Sequence, residues 1–139
     1  RHLCPIQRIQ AGRVLAQTGA ASAMIDLSDG LASDLTHLCR ESGVSAKVKE
    51  DQVPIDQAAS TVAQHFGQPP LTLALQGGED FELLFTSSWD PIDIAALFSE
   101  AVPVTAIGQI GEEGQGCQIE RQDGSTDTLT GGYQHFQKI

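Results

Sequence analysis

Two aspartates three residues apart, Asp26 and Asp29, bracket a hydroxyl, Ser28, and Gly30 follows at once. Short carboxylates placed around a tight turn can converge on one hard cation, with the serine adding a neutral oxygen. Mg²⁺ is commonly held by one or two carboxylates plus substrate phosphates and waters. The competing reading is structural: Asp29 or Ser28 caps the helix that follows, since Asp and Ser are favoured there. Two acids this close need a compensating cation, which brings the metal reading level with capping.

A second constellation is Gly77-Gly78-Glu79-Asp80. Two glycines let the chain turn sharply and let a ligand approach the backbone. The acids can accept hydrogen bonds from a cationic or amine-bearing ligand; otherwise the stretch is a plain turn with solvated acids. It is not a phosphate loop, because no Gly-Lys-Ser/Thr follows and the acids repel phosphate. Tyr133, His135 and Phe136 form a third group, either an aromatic wall for a flat heterocycle or a plug for the core. There is no serine elbow and no Cys/His pair, so no side chain is assigned as a nucleophile or acid–base catalyst.

The elements that must position these groups follow from apolar spacing. Ala20–Leu27 reads as a buried strand. After Gly30, Leu31, Leu35, Leu38 and Cys39 share one helical face up to about Glu41, and Gly43 is placed to stop it. The acid turn therefore sits where a strand hands over to a helix, at a sheet edge. Residues 1–10 read as an arriving segment, and 11–18 as a short helix. Val44–Lys49 alternates like a half-buried strand. Asp56 caps a helix through Phe66, with Ala59, Val62, Ala63 and Phe66 inward. Leu71–Leu75 reads as an apolar turn.

Phe81–Thr86 reads as a strand with Phe81, Leu83 and Phe85 on one face. Asp90-Pro91 opens a helix to about Ala101, with Trp89 packed at its start. Val104–Ile110 and Cys117–Glu120 are further strands, and Asp123-Gly124 is a hairpin turn before Ser125–Leu129. The order suggests an α+β layer, a mixed β-sheet with helices packed on one face.

The 139 residues suffice for one domain with a core. The formal net charge of −10 opposes binding to nucleic acid or an anionic membrane surface. Metal ions or another chain must supply positive charge if a phosphate compound is handled. No apolar run is long enough to cross a membrane, and no signal peptide is visible. Cys4, Cys39 and Cys117 are odd in number and lack a CxxC, which fits a reducing, cytoplasmic compartment. Cys39 is expected to be a small buried hydrophobe. The first residue is Arg1 and the only methionine is Met24, so a piece of a longer protein is expected.

Ile25-Asp26-Leu27-Ser28-Asp29-Gly30-Leu31-Ala32-Ser33-Asp34-Leu35, Gly77-Gly78-Glu79-Asp80-Phe81-Glu82-Leu83 and Gly132-Tyr133-Gln134-His135-Phe136 occur in this order. Together they resemble the C-terminal half of thiamine-monophosphate kinase, in the superfamily of aminoimidazole-ribonucleotide synthetase. The similarity spans nearly the whole chain. Phe81 departs from the Tyr that is frequent there. The resemblance implies that residues 1–139 are a single C-terminal domain, with the N-terminal domain of a longer two-domain kinase absent.

It implies transfer of the γ-phosphoryl of ATP onto thiamine monophosphate, giving thiamine diphosphate, with several Mg²⁺ ions. Asp26 and Asp29 would be metal ligands, Ser28 would touch ATP, and Glu79 and Tyr133 would contact the thiamine phosphate. The full-length protein would be a homodimer, and the isolated chain would be inactive. The alternatives are a noncatalytic metal- or ligand-binding module of the same fold and a related ATP-dependent synthetase. A kinase assay on the complete protein separates the three.

Overall fold

The computed structural model describes residues 5–98 and 102–131. Its elements run α1 (Ile9–Thr18), β1 (Ala23–Asp26), α2 (Leu31–Ser42), β2 (Ser45–Lys49), α3 (Gln57–His65), α4 (Pro70–Gln76), β3 (Leu83–Thr86), α5 (Pro91–Ala95), β4 (Gly108–Gly111), β5 (Cys117–Glu120) and β6 (Thr126–Thr128). A four-stranded sheet has the order β4-β2-β5-β6. It is mixed: β2 pairs parallel with β5, while β2–β4 and β5–β6 are antiparallel. β1 and β3 form a separate antiparallel pair.

Period-two burial decides how the larger sheet is covered. Ala46 and Val48 of β2 and Cys117 and Ile119 of β5 are buried, whereas Lys47 between them is exposed. The buried side meets Leu31, Leu35 and Cys39 of α2 and Leu75 of α4 in one core. The chain is thus α+β, with helices on one face of a mixed sheet. A smaller core joins Leu15, Ala20 and Ile94, with Phe85 and Phe98 packed against it.

Several local signals are realised. Gly43 ends α2 in the left-handed conformation, φ 64°. The Asp56 side chain accepts from the Ala58 N–H at 2.8 Å, and Asp90 from the Ile92 N–H at 2.9 Å. Gly124, φ 82°, lies in the turn between β5 and β6.

Other expectations are corrected. The expected buried strand 20–27 is the four-residue β1, with Met24 and Asp26 exposed, because among the described residues β3 is its only hydrogen-bonded neighbour. Residues 71–75 are not a turn but belong to helix α4, which Pro70 opens as first residue. On α3, Ala63 is fully buried, while Val62 and Phe66 face solvent, at 49% and 72% exposure. Among the described helices α3 packs mainly on α4, and that narrow contact needs only a small side chain.

Phe81 stands outside β3, in a left-handed conformation at φ 52°. Helix α1 starts at Ile9 rather than 11, and α5 ends at Ala95 rather than near 101. The strand expected from Val104 is confined to β4, whose register with β2 covers Gly108–Gly111. Trp89 is 40% exposed rather than packed away.

Candidate functional site

Strand β1 delivers Asp26 to the end of the two-stranded sheet, and α2 begins five residues later. Between them the chain turns tightly. The helix N-cap position falls on Gly30, φ 102° and ψ 151°, which has no side chain to offer. The turn is instead held from inside the helix. One oxygen of the Asp34 carboxylate accepts the backbone N–H of Ser28 at 2.9 Å and that of Asp29 at 3.1 Å. Asp34 is only 4% exposed. Two amide donors and the positive end of the helix satisfy its charge there.

The glycine loop closes against this turn. The Glu79 N–H donates to the Ser28 carbonyl at 2.9 Å, and the Phe81 N–H to the Leu27 carbonyl at 2.8 Å. The Leu27 N–H donates back to the Glu82 carbonyl at 2.8 Å. Such close contact needs residues without side chains. A Cβ on Gly78 would lie 2.6 Å from the Ser28 carbonyl oxygen, and one on Gly30 would lie 3.0 Å from that of Gly77. The two sequence motifs, about fifty residues apart, form one continuous backbone surface.

Glu79 and Phe81 are the positive-φ non-glycine residues among those described, at 66° and 52°. Each such residue costs about 1–3 kcal/mol and persists only when its surroundings hold it. Here the two hydrogen bonds to residues 27 and 28 hold it. Below the loop, the Arg8 guanidinium grips both oxygens of Glu82, Nε at 2.7 Å and Nη2 at 2.9 Å. The Glu82 carboxylate raises the Arg8 pKa above its ordinary value. This charge-assisted fork fastens the segment before α1 to the start of β3.

The structure thus brings Asp26, Ser28, Asp29 and Glu79 together through their backbones. Asp26 and Glu79 are exposed; Ser28 and Asp29 are half-buried. Tyr133, His135 and Phe136 lie outside the described residues. Among the described residues no three His, Cys, Asp or Glu side chains form a metal-holding group. The donor set of the turn, two carboxylates and a hydroxyl, is hard and oxygen-only. It fits Mg²⁺, which needs only one or two carboxylates when phosphates and waters complete its shell.

Sequence reasoning missed Asp34 as the anchor of the turn. Its position in the first turn of α2, where an acid is favoured, was the available signal. The Arg8–Glu82 pair spans 74 positions and left no local signal.

Residues 5–119 match the family described as AIR synthase related protein, C-terminal domain. The thiamine-monophosphate kinase of Salmonella typhimurium is 42% identical over 140 residues, covering 98% of this chain and 41% of that protein. That of Escherichia coli K12 is 39% identical over 140 residues, again 98% and 41%. The solved structure of AaThiL complexed with AMPPCP and TMP superposes with a TM-score of 0.76 at 32% identity, covering 98% of this chain and 40% of that one. Escherichia coli HypE, a hydrogenase maturation protein, shares the fold at a TM-score of 0.75 and 16% identity, covering 91% and 40%. The chain spans about two fifths of the length of these curated relatives.

Proposed function

This chain belongs to the family of AIR synthase related proteins, as its C-terminal domain, and on that premise we propose that it is the C-terminal half of an ATP-dependent thiamine-monophosphate kinase. The N-terminal domain of that enzyme supplies further acidic metal ligands and most of a homodimer interface. The observation that carries the reading is the backbone seam between the acid turn and the glycine loop, Glu79 N–H to Ser28 carbonyl at 2.9 Å. It sets a cation-binding turn beside a loop suited to an amine-bearing ligand, as a two-substrate transfer site requires.

In this site Asp26 and Asp29 would hold Mg²⁺, which would supply neutralisation of phosphate charge, and Ser28 would contact ATP. Glu79 and Tyr133 hold the thiamine end of the acceptor. An oxygen of the acceptor phosphate forms the new bond to the γ-phosphorus of ATP, and the bond to the β,γ-bridging oxygen breaks. The products are ADP and thiamine diphosphate. The acceptor phosphate is already an anion, so no side chain is needed as a general base. Catalysis then rests on positioning and charge neutralisation, as is usual for phosphoryl transfer.

A relative in complex with AMPPCP and TMP supports the pair of substrates. No helix among the described residues is long and apolar enough to cross a membrane, which is compatible with a cytoplasmic enzyme. The net charge of −10 counts against nucleic acid as a partner. The test is chromatographic: full-length enzyme with ATP, Mg²⁺ and thiamine monophosphate forms thiamine diphosphate. ATP consumption without that product, as a related synthetase would show, refutes the reading.

A further inference from the structure

We propose that Asp34 is a positioning residue that sets the metal affinity of the turn carrying Asp26 and Asp29. The inference rests on the reading of those two aspartates as metal ligands. Asp34 itself is turned away from that role. One carboxylate oxygen is engaged by the N–H groups of Ser28 and Asp29, and the residue is 4% exposed. Its own N–H donates to the Gly30 carbonyl at 3.0 Å. Residues 28, 29, 30 and 34 therefore close a ring that ties the turn to the first turn of α2.

Two consequences follow for the site. Adjacent backbone amides commonly form a concavity that binds anions. Here a carboxylate of the same chain fills it, so these two amides do not serve a nucleotide phosphate. The negative charge of the nucleotide must instead be met by cations, which are held by the neighbouring carboxylates. The second consequence is geometric. Asp29 carries one of the pinned amides and Asp26 lies two residues before the other, so the backbone that bears both carboxylates is held in place by Asp34. Binding then costs less ordering of the backbone turn, and affinity gains from that preorganisation.

A purely structural role would make Asp34 a stabiliser of the α2 terminus only. Direct Mn²⁺ binding separates the two. The probe is Mn²⁺ titrated into the full-length enzyme and followed by electron paramagnetic resonance, with circular dichroism as the check on folding. Asp34→Ala is expected to weaken Mn²⁺ binding at least tenfold. Asp34→Asn keeps an oxygen that can accept both N–H groups and is expected to restore most of the affinity.

Asp34→Glu keeps the charge but displaces the carboxylate by one methylene. It is expected to weaken binding at least threefold, and it decides the matter if the alanine variant does not fold. In steady-state kinetics the same variants raise the Mg²⁺ requirement. Mn²⁺ affinity equal to wild type in folded Asp34→Ala or Asp34→Glu, even with a lowered melting temperature, overturns the proposal. Asp29→Asn is the control: unaltered Mn²⁺ binding there overturns the metal reading and this inference with it. Because binding is read without turnover, these outcomes stand apart from whether the enzyme phosphorylates thiamine monophosphate.

Discussion

The Glu79 N–H donates to the Ser28 carbonyl across 2.9 Å, so the acid turn and the glycine loop are joined backbone to backbone. A residue assigned to the acceptor is thereby fixed against a residue assigned to ATP. The seam depends on Gly78, where a Cβ would meet the Ser28 carbonyl oxygen at 2.6 Å.

That contact is backbone against backbone, and no side-chain rotation relieves it. Gly78→Ala is expected to part the two loops, destabilising the fold by about 1–3 kcal/mol as overpacking does. It is also expected to lower kcat. Thermal melts beside steady-state kinetics check this, and wild-type values for both would show that the seam tolerates separation.

Asp26→Asn and Asp29→Asn in the full-length enzyme are each expected to slow turnover roughly 10²-fold or more, the usual effect of losing an electrostatic stabiliser in an active site. Their melting temperatures should stay close to wild type, because the Asp34 carboxylate pins the turn through the Ser28 and Asp29 N–H groups. Rates measured at limiting Mg²⁺ provide the test. Wild-type rates in both variants would remove the metal role.

The acid turn, its place between strand and helix, the α2 stop at Gly43 and both Asp caps were legible because each rests on residues close in sequence. What was not legible depends on distant partners. Phe81 looked like the first residue of a strand, yet its N–H is taken by Leu27, which bends it to φ 52°. Val62 and Phe66 fit the inward face of a helix, but α3 meets a narrow neighbour and buries Ala63. Asp34 looked like one polar residue among several on α2, because only the folded turn brings two amides to its carboxylate.

The Cys39 thiol is pushed up to about 12, first by burial and then by the neighbouring Cys117 thiol. An unfolded cysteine ionises near ~8.5. Above that pH the unfolded chain releases a proton that the folded chain retains. The stabilisation is complete below about pH 8.5 and is lost as pH rises toward the folded value. Denaturant melts at about pH 8 and about pH 10 should show falling stability, with a shallower fall in Cys39→Ala. An identical slope in the variant would contradict the assignment. At neutral pH, iodoacetamide should leave native Cys39 unlabelled.

Glu79→Gln and Tyr133→Ala are expected to raise the KM for thiamine monophosphate and to leave that for ATP nearly unchanged. Glu79 is exposed in a glycine loop and can accept from the aminopyrimidine. An aromatic face at Tyr133 can attract the thiazolium cation by about 0.5–2 kcal/mol, which corresponds to roughly 2- to 30-fold in KM. A defect confined to ATP, or lowered melting temperature without a kinetic change, would sink the assignment.

The central claim is that the acid turn and the glycine loop make one site for direct phosphoryl transfer, completed by an N-terminal domain. Phosphorus NMR of the reaction mixture tests it most directly. With full-length enzyme, Mg²⁺, ATP and thiamine monophosphate, the account predicts that the ADP and thiamine diphosphate resonances grow in equal amounts. It predicts no thiamine diphosphate when the 139-residue chain acts alone. Inorganic phosphate released in place of thiamine diphosphate by the full-length enzyme, or thiamine diphosphate formed by the isolated chain, would contradict it.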